Sequence, residues 1–354
     1  MVTGIPPEFC RRMGRSCSGM SNASSAFSEC RSERSDDPFL PGSPSAHGPS
    51  SIHRFLVSSS DHSDELFFGL VSALESPSVE SQLRAAMEIR LLAMHSIENR
   101  LRIARAGAVR PLVALLSHPD PQLQEHGVTA VLNLSLCDEN KAPLAGAGAV
   151  PHLVHALCVG TPVARENAAC ALFRLAQFED LPAAIGCCGA IPPLIALLET
   201  GGARGKKDAA TALFALLAVK DNAILAVEAG VVGPLLELMA DFDSDMVDKA
   251  AYVLLWVLKT QKGRVTAVDE GAVAVLVEML EMGSRKQKEV AVLSLLEICK
   301  ECSDYRRTAV REGAIPPLVA LSHAASSRTS TKKKVGNLTS SHRIQLSKKI
   351  IFLG

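Results

Sequence analysis

From residue 107 onward the apolar positions fall into a run that keeps returning. Gly107 opens GAVRPLVALL, and the same pattern reappears as GAVPHLVHAL at Gly148, GAIPPLIALL at Gly189, GVVGPLLELM at Gly230, GAVAVLVEML at Gly271 and GAIPPLVALS at Gly313. The spacings are 41, 41, 41, 41 and 42 residues, too regular for chance. Glycine fits where one helix ends, because it takes left-handed backbone without a Cβ clash. Pro111, Pro193, Pro234 and Pro317 then fall in the first turn of the next helix, where a missing N–H costs little. The Leu/Val/Ile run that follows is a buried helix. A turn comes next, at Ser117–Pro121, Gly160–Pro162, Gly201–Gly202 or Gly283–Ser284. After it the pattern predicts a longer Ala/Leu helix: Glu125–Leu136, Arg165–Ala176, Lys206–Leu217, Val247–Leu258 and Arg285–Cys299. A short third helix leads back to the next glycine, and Asn99, Asn140, Asn222 and Asp304 are expected as its polar starters. A weaker unit stands in front, with Leu66–Leu74 as a middle helix and Gln82–Ala93 as a long one. It reads as an atypical first, capping repeat. No single repeat can bury its own apolar face, so the units must stack.

The two ends break the pattern. Residues 1–62 are rich in Ser, Pro, Gly and His and lack apolar periodicity, so they are expected to stay disordered; Ser43-Pro44 there is a candidate phosphorylation site. The repeats then occupy 63–322. Residues 323–354 form a basic tail without Ala/Leu periodicity, expected to be disordered, where a last long helix should stand. That reads as an alternative splice product with an incomplete final repeat. Lys332-Lys333-Lys334 is a weak match to a nuclear localisation signal, and a solvated tail is the plainer reading.

Composition narrows the class. The 354 residues are 47% hydrophobic but only 4% aromatic, as suits helices packed closely on helices. The 37 basic and 37 acidic residues cancel, which gives no general pull toward nucleic acid or an anionic membrane. The longest strongly apolar run, Ala250–Leu258, is too short to span a bilayer. The first residues lack the apolar stretch of a secretory signal, and the ten cysteines form no disulfide framework. A reducing compartment, cytosol or nucleus, is the expectation.

The three-helix unit at this period resembles the armadillo repeat; HEAT repeats share the period but normally have two helices and no Gly-Ala-Ile-x-Pro-Leu junction. The resemblance implies an all-α, right-handed α-solenoid. Segments such as ENAACALFRLA, GKKDAATALF, LELMADFDSDMVDKAA and REGAIPPLVALS resemble the armadillo region of plant U-box ubiquitin ligases, and look closest to short members without a U-box, whose head SSAFSECRSERSDDPF also resembles. The likeness covers roughly residues 20–322. In those ligases the U-box recruits a conjugating enzyme and the armadillo region binds substrates or receptor kinases. The resemblance therefore implies a protein-binding role without a catalytic half. Participation in ubiquitin ligation, as a partner of a ligase, is the alternative, and a nuclear transport receptor is a third reading.

Candidate chemistry is sparse. Cys299-Lys-Glu-Cys302 lacks the second ligand pair of a zinc site, Cys187-Cys188 fit badly as ligands, and His152 with His155 has no local third ligand. Gly205-Lys206-Lys207 is not a phosphate loop, and no catalytic motif is present. No cofactor, metal, small-molecule substrate or nucleic-acid partner is expected; the expected partners are proteins. In armadillo proteins the long helices line the concave surface, and an Asn near the end of each clamps an extended peptide. By period the corresponding positions are Arg90, after a two-residue adjustment, Asn133, Arg174, Ala215, Trp256 and Glu297. One turn earlier stand Thr129, Cys170, Thr211, Tyr252 and Leu293. Only Asn133 keeps the Asn, so the Trp/Asn ladder of importin-α is absent, which counts against a nuclear-import receptor. Trp256, the single Trp, with Tyr252 and Arg174, are the residue types that dominate binding hot spots. The expected groove residues are Arg90, Asn133, Arg174, Tyr252, Trp256 and Glu297.

Overall fold

Four of the six long helices among the described residues start at small polar caps. Ser78, Asp120, Thr161 and Ser284 each accept a hydrogen bond from a backbone N–H in the first turn of the helix that follows. Ser284 and Gln287 close a full capping box. All four precede long helices, so the turn residues at the repeat's second bend are the start signals for its largest element.

The structure is a computed structural model that describes residues 62–178 and 181–329, with side chains described through residue 322. Those residues are helical and contain no strand. They divide into two compact units at Leu216–Leu217. The first holds α1 His62–Leu74, α2 Val79–His95, α3 Ile97–Arg105, α4 Val109–Leu115, α5 Pro121–Ser135, α6 Asp138–Gly146, α7 Ala149–Val159, α8 Pro162–Leu175, α9 Leu181–Cys187, α10 Ile191–Thr200 and α11 Ala203–Leu216. The second holds α12 Lys220–Glu228, α13 Val232–Ala240, α14 Met246–Leu258, α15 Gln261–Asp269, α16 Ala272–Met282, α17 Arg285–Cys299, α18 Ser303–Arg311 and α19 Ile315–Thr329.

In the first unit the long helices pack in sequence order, α2 on α5, α5 on α8 and α8 on α11, with the middle helices α1, α4, α7 and α10 behind them. In the second, α14 packs on α17, backed by α13 and α16. The long helices are therefore sandwiched. Eleven of the fifteen residues of α5 and eleven of the thirteen of α14 are buried. Short-range approach depends on small residues: a Cβ on Gly127 of α5 would stand 2.8 Å from Leu115 Cβ on α4.

The junction glycines behave as the sequence predicts. Gly107, Gly148, Gly189, Gly230, Gly271 and Gly313 all have positive φ, between 78° and 97°. The helices they join meet almost at right angles: 86° between α6 and α7, 81° between α9 and α10, 84° between α12 and α13.

The expected starter residues of the third helices work differently. Asn99 and Asn140 lie inside α3 and α6 and reach back to the preceding long helix, donating to the carbonyls of Leu92 and Leu134 at 3.0 and 3.1 Å. Arg100, Arg264 and Arg306 do the same, donating to Ala93, Leu258 and Cys299 carbonyls. These carbonyls belong to last turns, which have no intrahelical partner, and the cation also meets the negative end of the helix dipole. Asn99 and Asn140 are thus C-terminal caps supplied from the next helix, not N-caps of their own, whereas Asp304 pairs with Arg307 within its own helix.

The head, apart from His62, lies outside the described residues, and so do Ser43-Pro44 and Lys332–Lys334. The last helix, α19, has 15 residues against 7 to 11 for α4, α7, α10, α13 and α16, and residue 322 falls within it.

Candidate protein-binding face

Because the long helices are packed on both flanks, little of each reaches the surface. In the first unit Arg90 is half-buried, and its carbonyl accepts a hydrogen bond from Asn133 Nδ2 at 3.0 Å. Asn133 itself is 1% exposed. Its amide ties α5 to α2 and is not presented to a partner, so the expectation that it lines the groove is corrected: a side chain spent on a neighbouring helix cannot clamp a peptide. Arg174 is half-buried with its guanidinium 5.4 Å from the centroid of the Phe173 ring. Thr129, Cys170 and Thr211, one turn earlier, are buried.

In the second unit Tyr252 is 2% exposed. It belongs to the core of α14, and its expected role as a surface aromatic is corrected. Trp256 is different. From Lys249 to Leu258 every residue of α14 is buried except Trp256. Its ring carries the Lys259 ammonium 3.7 Å from the centroid, a close cation–π contact. Glu297 on α17 is half-buried and paired with Lys300 at 2.5 Å.

A polar strip was missed. In the first unit Arg204 of α11 donates to Asn167 Oδ1 at 2.6 Å and lies 3.8 Å from Glu166 and 3.4 Å from Asp208. Asn167 Nδ2 in turn donates to Thr129 Oγ1 at 2.9 Å, and Thr161 Oγ1 donates to Glu125 at 2.5 Å. The strip crosses α5, α8 and α11 and satisfies most of its own hydrogen bonds. Following the helix face a second turn back from the Asn133 column gives His126, Asn167, Asp208 and Lys249, so the period held the signal.

The other candidates resolve into structure. His152 Nδ1 shares a 2.8 Å hydrogen bond with Ser117 Oγ, and His155 is exposed. Cys299 is buried, and burial pushes its thiol up to about 11. Gly205 packs against Leu197 and Glu166. Among the described residues no group of His, Cys, Asp and Glu is placed to hold a metal. None of the described helices alone is long and apolar enough to cross a membrane.

The family model for the Armadillo/beta-catenin-like repeat matches residues 96–136 and 137–177. These are armadillo repeats. The matched spans run from the start of one third helix to the next, so the 41-residue unit and the armadillo unit coincide. The chain is 51% identical over 79 residues to U-box domain-containing protein 14 of Arabidopsis thaliana, covering 22% of this chain and 12% of that protein. It is 51% identical over 70 residues to E3 ubiquitin-protein ligase SPL11 of Oryza sativa subsp. japonica, covering 20% and 10%. The match thus spans about a tenth of these relatives. Among solved structures, an engineered protein superimposes with a TM-score of 0.59 at 28% identity, covering 66% of this chain and 96% of that one. A computationally designed armadillo repeat protein for modular peptide recognition superimposes at 0.60 and 22% identity, covering 65% and 99%, which speaks for the fold alone. The armadillo region is of the kind carried by plant U-box proteins.

Proposed function

We propose that this protein is a non-enzymatic adaptor that binds a segment of another protein on the face of its long helices, in the cytosol or nucleus. The observation that carries this reading is Trp256. α14 is buried on nearly every side; only Asp248 and Trp256 are not fully covered, and Trp256 is the chain's single Trp. A large aromatic left partly in water, on a rigid helix, is the kind of anchor that dominates interface energetics, since burying it on a partner costs little ordering. Lys259 over the ring gives that partner a cation to displace or a carboxylate site to use. Arg90 and Arg174 are half-buried cationic side chains at the corresponding positions of the first unit.

A second reading, a component of ubiquitin ligation that selects a substrate or pairs with a ligase or receptor kinase, is supported by the names of the relatives. Affinity purification from the source tissue should compare the wild type with Trp256→Ala and Arg174→Glu, each checked by circular dichroism. Loss of specific partners with Trp256→Ala is expected. Full retention by both variants would move the site off the long helices. Purified protein with activating enzyme, conjugating enzymes and ubiquitin should form no chains; chains that depend on it would overturn the adaptor reading in favour of ligation.

A further inference from the structure

The first repeat leaves an apolar ridge open. On α2, Val79, Leu83, Met87 and Leu91 recur every four residues. Val79, Met87 and Leu91 are 46%, 41% and 45% exposed, and Leu83 is half-buried. Rows of this spacing are the ridges by which helices interlock. In the register that sets Asn133 opposite Arg90, Met87 and Leu91 correspond to Ala130 and Leu134 of α5, and one repeat on to Ala171 and Leu175 of α8; all four are fully buried. Only five of the seventeen residues of α2 are buried, and they face the other way, toward α1 and α5. A terminal repeat normally turns a polar face outward. This one turns out a helix-packing ridge.

We infer that the ridge is a docking site for the chain's own segment Ile52–Val57, IHRFLV. Within the Ser-rich head this is a short apolar run, with Ile52, Phe55, Leu56 and Val57 as its apolar residues. Its position in the chain favours it over a second copy. Residues 58–61 alone separate Val57 from His62, the first residue of α1, a tether of about 17 Å at full stretch. α1 and α2 are joined by the short turn 75–78 and pack on each other, so the start of α1 lies toward the Leu91 end of the ridge. Such a tether holds the segment at an effective concentration in the millimolar range, which a free second copy would not reach. Charge agrees: Arg54 in the segment can meet Glu80 and Glu88, which flank the ridge.

Hydrogen exchange on the full chain tests this, comparing the wild type with Phe55→Asp/Leu56→Asp, whose changes lie outside every described helix. Amides across Val79–Leu91 should exchange at least tenfold faster in the variant, with α5 and α8 unchanged. Equal exchange in the two proteins would overturn the assignment. Sedimentation velocity should show the wild type monomeric over a range of concentrations. A concentration-dependent dimer that survives Phe55→Asp/Leu56→Asp but is lost in Met87→Asp/Leu91→Asp would give the ridge to a second copy and overturn the proposal as well. Both ridge residues are already partly in water, so that variant keeps its core.

Discussion

Replacing Gly230 separates backbone geometry from side-chain space as the reason for the repeat junction. Its φ is +79°, it is exposed, and a Cβ built on it meets no heavy atom within 4 Å. The cost of Gly230→Ala is therefore the left-handed backbone alone, about 1–2 kcal/mol. The stiffer unfolded chain returns about 0.4–1 kcal/mol of that. A net loss of about 1 kcal/mol follows. Asn visits the left-handed region more readily than other side chains, and a β-branched residue least readily. The expected order of destabilisation is Asn below Ala below Val, although Asn is the bulkier choice next to Ala. Trp256 is the single Trp and lies in the same unit, so its fluorescence in urea reports this unit's unfolding even if the whole array does not melt in one step. Asn as damaging as Ala, or more so, would refute the backbone argument. Gly263 is the contrast. It is the third residue of α15, and a Cβ there would lie 2.1 Å from the Val257 carbonyl oxygen and 2.8 Å from Thr260 Oγ1. Gly263→Ala must push α15 away from the end of α14, and its midpoint shift should be at least about twice that of Gly230→Ala, in keeping with steric overpacking.

Two further outcomes follow from buried groups. Asn133→Ala removes the hydrogen bond that ties α5 to the Arg90 carbonyl, and should cost about 1–3 kcal/mol in thermal melting while leaving partner capture intact; a loss of binding in a protein of unchanged stability would put Asn133 back in the groove. Burial raises the Cys299 thiol from 9.0 to about 11, so the neutral form is favoured in the folded state. That contribution is complete below pH 9 and is lost as pH rises from 9 to about 11, by up to about 3 kcal/mol. Cys299→Ala should flatten the alkaline fall in melting temperature over that window, and an identical fall in both proteins would refute it.

What could be read from the sequence is what a residue determines by itself. A left-handed glycine is a local backbone fact, so six of them at a fixed interval gave the junctions, the helix order and the repeat without any knowledge of packing. Likewise Ser78, Asp120, Thr161 and Ser284 cap helices next to them in the chain. The Asn residues of the third helices look like the same kind of signal but act around a bend: Asn99 reaches Leu92 and Asn140 reaches Leu134, and nothing in a linear reading says that the side chain turns backward.

The binding face shows the limit most clearly at Tyr252 and Trp256. The two are one turn apart on α14 and share a face by the usual helical argument. Four residues at 100° each leave a 40° offset, which is small on an isolated helix with a broad exposed face. α14 keeps no such face: on the wheel Tyr252 lies between Asp248 and Trp256, which are both half-buried, yet it is itself 2% exposed, so neighbouring side chains cover the middle of the face and leave its two ends partly open. Periodicity fixes which residues occupy equivalent positions in successive repeats. Which of them stay uncovered depends on the size of the side chains on the helices either side, so the step from equivalent position to exposed position is made by packing. The same reasoning separates half-exposed Arg174 from buried Asn133, which stand at the same place in consecutive repeats.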